Sequence, residues 1–432
     1  MKNIKFIDLF AGMGGLRLGF EEACHEQDFN PVCVLTSEIK PAAIKILKHN
    51  FKHENLQGDI TKIDAETIPD FDVLLGGFPC QAFSTAGKQY GFADTRGTLF
   101  FEIERILAIK RPSCFILENV EGLITHNKGN TLKTILNKLE ELGYKVTYQL
   151  LNSQNFGVAQ ARKRIFIVGS LMQLPNLDDF LVTQVSFSQI EEKIACFPQS
   201  DFVRKIFDHY EEKDLYGKNF KDKRGGKNNI HSWDIELKGS VSQKQKELLE
   251  LLLKERRYKK WSAEIGIDWM DGIPLTLEQI RSFYDCEDLE VLLTDLVSKG
   301  YLVLEYPKKL VKTQINGSVV DKREYDTNLQ KGYNIVTGKL SFPFSVFVNP
   351  EGIVPTLTAT DILKIGVVQN NNIRTLTDRE TLRLFGYPEE YSVKCFDLAS
   401  KKEQRELFDL LGNTVVVPVV KEVSKRILEC IE

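Results

Sequence analysis

The 432-residue sequence predicts an α/β protein whose N-terminal part is a doubly wound, mostly parallel sheet, followed by a smaller mixed domain. Three observations predict it. Short apolar runs alternate with helical patterns from Ile4 to Ser170. Successive runs end in glycine or an acid, which suits the carboxyl edge where open sheets place ligands. From Leu171 the alternation stops, and a more charged, loop-rich segment begins.

Ile4 to Phe10 reads as the first strand, followed by Ala11-Gly-Met-Gly-Gly15 and a helical pattern through Ala23. Glycines at 12, 14 and 15 let backbone approach a ligand at a helix N-terminus. Arg17 stands where the dinucleotide fingerprint has its third glycine, which disfavours a nicotinamide cofactor. The second strand, Val32 to Ser37, ends at Glu38, an acid that can accept from both ribose hydroxyls of an adenosine. The third ends at Gly58-Asp59-Ile60, where Asp59 can accept from an adenine amine. Each acid alone reads equally well as a solvated strand end; the three termini together point to an adenosine site.

A fourth strand, Phe71 to Leu75, runs into two glycines, and Pro79 prevents its continuation. Cys80 is thereby set at a strand's carboxyl end. A lone cysteine is more often a packed core residue. Gln81 to Thr98 has the composition of a loop that closes over a site. A helix from Leu99 to Ala108 leads to a fifth strand, Cys114 to Leu117, which ends in Glu118-Asn119-Val120. A helix over Asn130 to Leu142 precedes two strands, Lys145 to Leu151 and Arg164 to Ser170, close enough for a hairpin at the sheet edge.

Composition excludes little. Apolar content of 42%, charged content of 27% and a net charge of −3 are ordinary for a soluble enzyme, so any nucleic-acid contact must come from local patches. Eight cysteines without a C-x-x-C pair argue against a disulfide framework or zinc cluster and for a reducing cytoplasm. His49 and His53 have a metal-capable spacing without a third ligand, so no metal is expected. Asp8 interrupts the first apolar run too early for a signal peptide, and nothing approaches a membrane span.

Three basic clusters follow Leu171: Lys218 to Lys227, Lys254 to Lys260, and Lys308, Lys309 and Lys312. Phe220, Tyr258 and Trp261 are interleaved with them. A charge run is usually a solvated face; three in one segment tilt towards phosphate contact. Helical patterns at Ser242–Arg257, Thr276–Phe283 and Leu289–Lys299 precede a strand at Gly300–Tyr306, a fold-level likeness to a winged helix-turn-helix.

The string Gly-Gly-x-Pro-Cys-Gln-x-Phe-Ser-x-Ala-Gly around Cys80 is joined by Glu118-Asn119-Val120 and Gln160-x-Arg162-x-Arg164. Further on stand Arg374-x-Leu-Thr-x-Arg-Glu380 and Gly412-Asn-Thr-Val415. In this order the blocks resemble the DNA cytosine carbon-5 methyltransferases of the bacterial restriction-modification type. The resemblance implies a class I methyltransferase domain at 1–171, completed by 405–432. A target-recognition domain at 172–404 would carry the winged-helix insertion at 241–306. It further implies Cys80 as nucleophile at carbon 6 of cytosine, Glu118 as acid at ring nitrogen 3, and Arg162 and Arg164 as anchors of base carbonyl and phosphate. S-adenosyl-L-methionine would lie along Phe10, Gly12, Gly14, Leu16, Glu38, Asp59, Ile60, Pro79, Leu99 and Asn413. Double-stranded DNA would be the partner of a cytoplasmic monomer working beside a cognate restriction endonuclease. One branch of the family acts on transfer RNA, but its target segment is compact, unlike the long one here. A catalytically dead homologue is disfavoured because the motifs are intact. The last inserted helix, Leu289–Lys299, is acidic and so is expected to face away from DNA, leaving phosphate contacts to Lys254–Lys260 or neighbouring loops.

Overall fold

A computed structural model describes residues 1–52, 55–79, 98–194, 199–268, 270–315, 318–336 and 342–431. Cys80 and the expected closing loop up to Gly97 lie outside the described residues. The chain divides into two compact units, Met1–Lys193 with Pro350–Ile362 and Leu376–Glu432, and Ile194–Asn349 with Leu363–Thr375.

The first unit is built on seven strands: β1 (Lys2–Leu9), β2 (Phe29–Ser37), β3 (Leu56–Gln57), β4 (Val73–Gly77), β5 (Cys114–Val120), β6 (Lys145–Asn152) and β7 (Lys163–Ser170). They lie in the order β3-β2-β1-β4-β5-β7-β6. The first five are parallel, while β7 runs antiparallel to both β5 and β6. Five helices interleave: α1 (Gly15–Glu26), α2 (Pro41–Asn50), α3 (Thr98–Lys110), α4 (Gly122–Thr125) and α5 (Asn130–Glu141). The apolar strands are buried on both faces, as a parallel sheet requires. Ile7, Leu9, Leu74, Phe115 and Leu117 share one core with Ile103 and Leu107 of α3 and Ile135 and Leu139 of α5. On the other face Phe6 packs on Phe20 of α1, and the Cys114 thiol donates to Ile427 of the helix Val417–Leu428.

Two strand ends extend further than the apolar runs. Gly76 and Gly77 belong to β4, and β5 continues through Glu118 to Val120. The antiparallel neighbour explains this: Glu118 pairs with Phe166 and Val120 with Arg164. Glu118 is therefore held in a ladder instead of standing past a strand's end.

The first unit is also larger than the boundaries at 171 and 405. Val354 bridges to Gln160, with Val354 N donating to Ala159 O and Ala161 N to Val354 O. Gln160 Nε2 donates to Leu384 O at 2.9 Å, and the Tyr391 hydroxyl donates to Met13 O at 2.7 Å. Pro350–Ile362 and the helix Asp378–Leu384 are thus bound into this unit. That helix starts where the capping box places it, with Thr377 Oγ1 accepting from Glu380 N and Glu380 Oε2 from Thr377 N.

The second unit has two cores. Phe202, Phe220, Phe347 and Val368 fill one, beside a five-stranded sheet that includes Val346–Phe347 and Ile365–Gln369. Leu248, Leu252, Leu293, Leu296 and Ile335 fill the other, between the helices Gln243–Glu255, Leu277–Arg281 and Leu289–Ser298. The strand Leu302–Glu305 pairs with Gly332–Ile335, so this helical portion extends beyond the boundary at 306. Among the described residues no helix is long and apolar enough to cross a membrane.

Candidate active site

Parallel pairing brings the carboxyl ends of β1 to β5 to one edge, and the strand order reverses direction between β1 and β4. Such a switch point opens a crevice. Hydrogen bonds stitch the ends together. Gly12 N donates to Glu38 Oε2 at 2.8 Å, while Ile39 N and Lys40 N donate to Oε1 at 2.7 and 2.8 Å. Ser37 Oγ donates to Gly58 O at 2.8 Å, and Asn119 Nδ2 to Phe78 O at 2.9 Å. The Glu38 carboxylate is thus fixed in orientation before any ligand arrives.

The glycines divide by role. Gly12 (φ +56°) is open: a Cβ there would meet only Phe10 O, at 3.9 Å. Gly14 (φ +77°) is tight, because a Cβ would stand 2.5 Å from the Phe51 ring, and one on Gly15 would stand 2.7 Å from Val415. Gly12 therefore leaves room beside a strand end, whereas Gly14 and Gly15 serve close packing.

Asp59 Oδ1 accepts from Thr61 N and Thr61 Oγ1, and these bonds hold its carboxyl below the usual range. No hydrogen bond engages Oδ2 among the described residues, so it can accept from a ligand. Ile60 and Leu16 are buried, Phe10 and Leu99 half-buried, and Pro79 exposed. Asn413 is exposed with its amide turned onto its own helix, Nδ2 donating to Asp409 O at 2.7 Å. A pinned acid, a second acid with an open oxygen and an unfilled glycine fit an adenosine.

Glu118 lies beside this edge. A Cβ on Gly77 would stand 3.6 Å from Leu16 and 3.7 Å from Glu118 Oε2, in ordinary contact with both, so the two side chains flank this strand end. Glu118 is 8% exposed, and Arg164 Nε stands 3.0 Å from its Oε1. Burial pushes the Glu118 carboxyl above its ordinary value; Arg164 and then Arg162 oppose that with smaller effects. Arg164 also borders a pocket of about 370 Å³ with Glu121, Asn152, Lys163 and Thr356.

Arg162 differs from the expectation that it anchors a base and phosphate. Its guanidinium is buried, NH1 donating to Leu357 O at 3.0 Å and NH2 to Gly412 O at 2.8 Å and Thr414 O at 2.7 Å. Those bonds turn it inward, as a clamp joining the hairpin loop to two distant segments. Arg162→Ala would leave two buried carbonyls and the part-buried one of Gly412 without this donor, at about 1–3 kcal/mol for each buried one. Urea unfolding is expected to show a loss of roughly 4 kcal/mol. A loss below about 1 kcal/mol, with methyl transfer abolished, would return Arg162 to a catalytic role.

Sequence reasoning missed Asp8. It is fully buried near the end of β1, with neither carboxyl oxygen hydrogen-bonded, and burial pushes its pKa up to about 8. The signal was an acid inside an apolar strand, which registered only as an interruption. Among the described residues no group of three His, Cys, Asp or Glu could hold a metal ion.

A family model described as C-5 cytosine-specific DNA methylase matches residues 4–429. Type II methyltransferase M.NlaIV of Neisseria lactamica is 53% identical over 99% of both chains. Type II methyltransferase M.BanI of Aneurinibacillus aneurinilyticus is 43% identical over 99% of this chain and 96% of its own. Among solved structures, the Entamoeba histolytica methyltransferase EhMeth superposes with a TM-score of 0.54 at 16% identity, covering 100% of both chains. A Spodoptera frugiperda DNMT2 mutant gives 0.51 at 16% identity, covering 98% of this chain and 99% of its own. These two likenesses concern the fold.

Proposed function

The chain belongs to the C-5 cytosine-specific DNA methylases, and from that membership we propose how its residues carry the reaction. It transfers a methyl group to carbon 5 of cytosine in DNA. The first unit is the catalytic domain and the second the target-recognition domain. The observation that best supports the residue assignment is the buried Glu118–Arg164 pair beside Gly77, three residues before Cys80.

Carbon 5 of cytosine is a poor nucleophile, so the ring must first be activated. The Cys80 thiolate adds to carbon 6, the 5,6 π pair moves into the 4,5 bond, and the π pair of the carbon 4–nitrogen 3 bond moves onto nitrogen 3. Glu118, whose protonated form burial favours, gives its proton there. Arg164 balances the carboxylate that remains. Phe10, Gly12, Leu16, Glu38, Asp59, Ile60, Pro79, Leu99 and Asn413 would hold S-adenosylmethionine, which would supply an electrophilic methyl group to carbon 5 and depart as S-adenosylhomocysteine. Gly14 contributes backbone only, and Arg162 positions Leu357, Gly412 and Thr414. Solvent then takes the carbon 5 proton, the bonding pair left behind re-forms the 5,6 double bond and expels the thiolate, and the nitrogen 3 proton returns to Glu118. Carbon 6 is out of reach inside a duplex, so the base is flipped out, at a cost of a few kcal/mol.

The Type II relatives support a role in a restriction-modification system; a cognate endonuclease as functional partner and a cytoplasmic monomer as the working form complete the proposal. The test is transfer of labelled methyl groups to duplex DNA and to total RNA, followed by sequencing of 5-methylcytosine. Label at one recurrent duplex sequence is expected; label confined to RNA would overturn the reading.

A further inference from the structure

The strand Leu302–Glu305 and its partner Gly332–Ile335 continue outwards as a two-stranded ribbon, Lys308–Ile315 against Ser318–Tyr325. Its root is firm: Leu302 and Ile335 lie in the helical core, and Asp326 N donates to Pro307 O at 2.8 Å. Beyond the root almost every described side chain is half or wholly exposed. An exposed ribbon that supports no core calls for an explanation, because ordering it costs roughly 1–2 kcal/mol per residue in backbone entropy alone.

Alternation and register sort its side chains onto two faces. One carries Lys309, Val311 and Thr313 with Glu324, Lys322 and Val320 opposite. Its charges cancel, since Lys309 Nζ lies 3.2 Å from Asp326 Oδ2 and Lys322 Nζ 3.2 Å from Glu324 Oε1. The other carries Lys308, Leu310 and Lys312 with Tyr325, Arg323 and Asp321 opposite. Lys308 stands over the Tyr325 ring at 4.8 Å, and that ring is 52% exposed. Lys312 and Arg323 make no ion pair among the described residues, and Leu310 is exposed between them. One face is neutralised from within, while the other sets Lys308, Lys312 and Arg323 against the single Asp321 and so keeps a net positive charge beside an aromatic and an aliphatic side chain.

We propose that this second face is a docking surface for duplex DNA, a contact separate from the chemistry of the first unit. The assignment rests on the DNA-methylating reading above. A two-stranded ribbon fits the major groove, and Lys312 and Arg323 meet the requirement for phosphate neutralisation. Leu310 and Tyr325 then offer apolar contacts to sugar or base edges, with Asp321 opposite Lys312 at the far end of the face.

The test compares two double variants of the full chain with the same loss of charge, Lys312→Ala with Arg323→Ala, and Lys309→Ala with Lys322→Ala. Dissociation constants for a methylatable duplex are measured across a salt series. The first pair is expected to weaken binding about tenfold near 0.1 M salt and to flatten the log–log salt slope by roughly 2, one for each lost phosphate contact. The second pair should change binding less than about twofold. If wild type methylates the duplex and the two pairs behave alike, the ribbon is not the docking face and the activity still stands. A wild-type chain that neither binds nor methylates duplex DNA overturns the activity and the ribbon's partner together.

Discussion

Cys80→Ala is expected to abolish methyl transfer to DNA while binding of S-adenosylmethionine persists. The whole reaction depends on a nucleophile that adds to carbon 6 and later leaves, and alanine offers no atom for either step. Cys24, Cys33, Cys114, Cys395 and Cys430 are poor substitutes. Burial pushes the thiols of Cys24 and Cys114 up to about 12 and that of Cys33 up to about 11, and raises Cys395 and Cys430 as well. At neutral pH those thiols are protonated and therefore unreactive. Duplex DNA containing 5-fluorocytosine should trap wild type covalently, because fluorine cannot depart as a cation after methylation. Peptide mapping should place that adduct on Cys80. An adduct on another cysteine, or substantial turnover by the alanine variant, would remove Cys80 from the mechanism.

The strand ends at Glu38 and Asp59 were legible because a parallel strand announces itself by a short apolar run and its end by a polar residue. Gly12 and Gly14 looked alike in sequence, yet Phe51, thirty-seven residues beyond Gly14, decides that only Gly12 is open. The same limit applies to the arginines. Their motif gives spacing but not direction, and Arg162 is turned inward by carbonyls of Leu357, Gly412 and Thr414. Pro350–Ile362 joins the first unit through Val354 and Gln160, a pairing across a separation no local pattern encodes. Asp8 was hidden for another reason: its burial depends on the helices that cover both faces of β1, not on its neighbours in the chain.

Glu118→Gln should slow the chemical step by about two to four orders of magnitude, the range for losing a positioned general acid. Cofactor binding should change little, since among the described residues no bond from Glu118 reaches the Gly12–Glu38 edge. The pH dependence gives the finer test. Burial raises the carboxyl's pKa and Arg164 restrains the rise, so in wild type the competent protonated form is lost as pH increases through that raised value. Single-turnover rates should therefore fall on the alkaline side, and the glutamine variant should lack that limb. Arg164→Leu removes the restraining charge, so its residual activity should keep the limb at a higher pH than wild type. The sign matters: if Arg164 served chiefly to keep Glu118 ionised as a base, activity would rise with pH and the Leu variant would shift the rise upward. A near-normal rate for Glu118→Gln, or an alkaline limb unmoved by Arg164→Leu, would show that the buried pair holds β5 against β7 and takes no part in proton transfer.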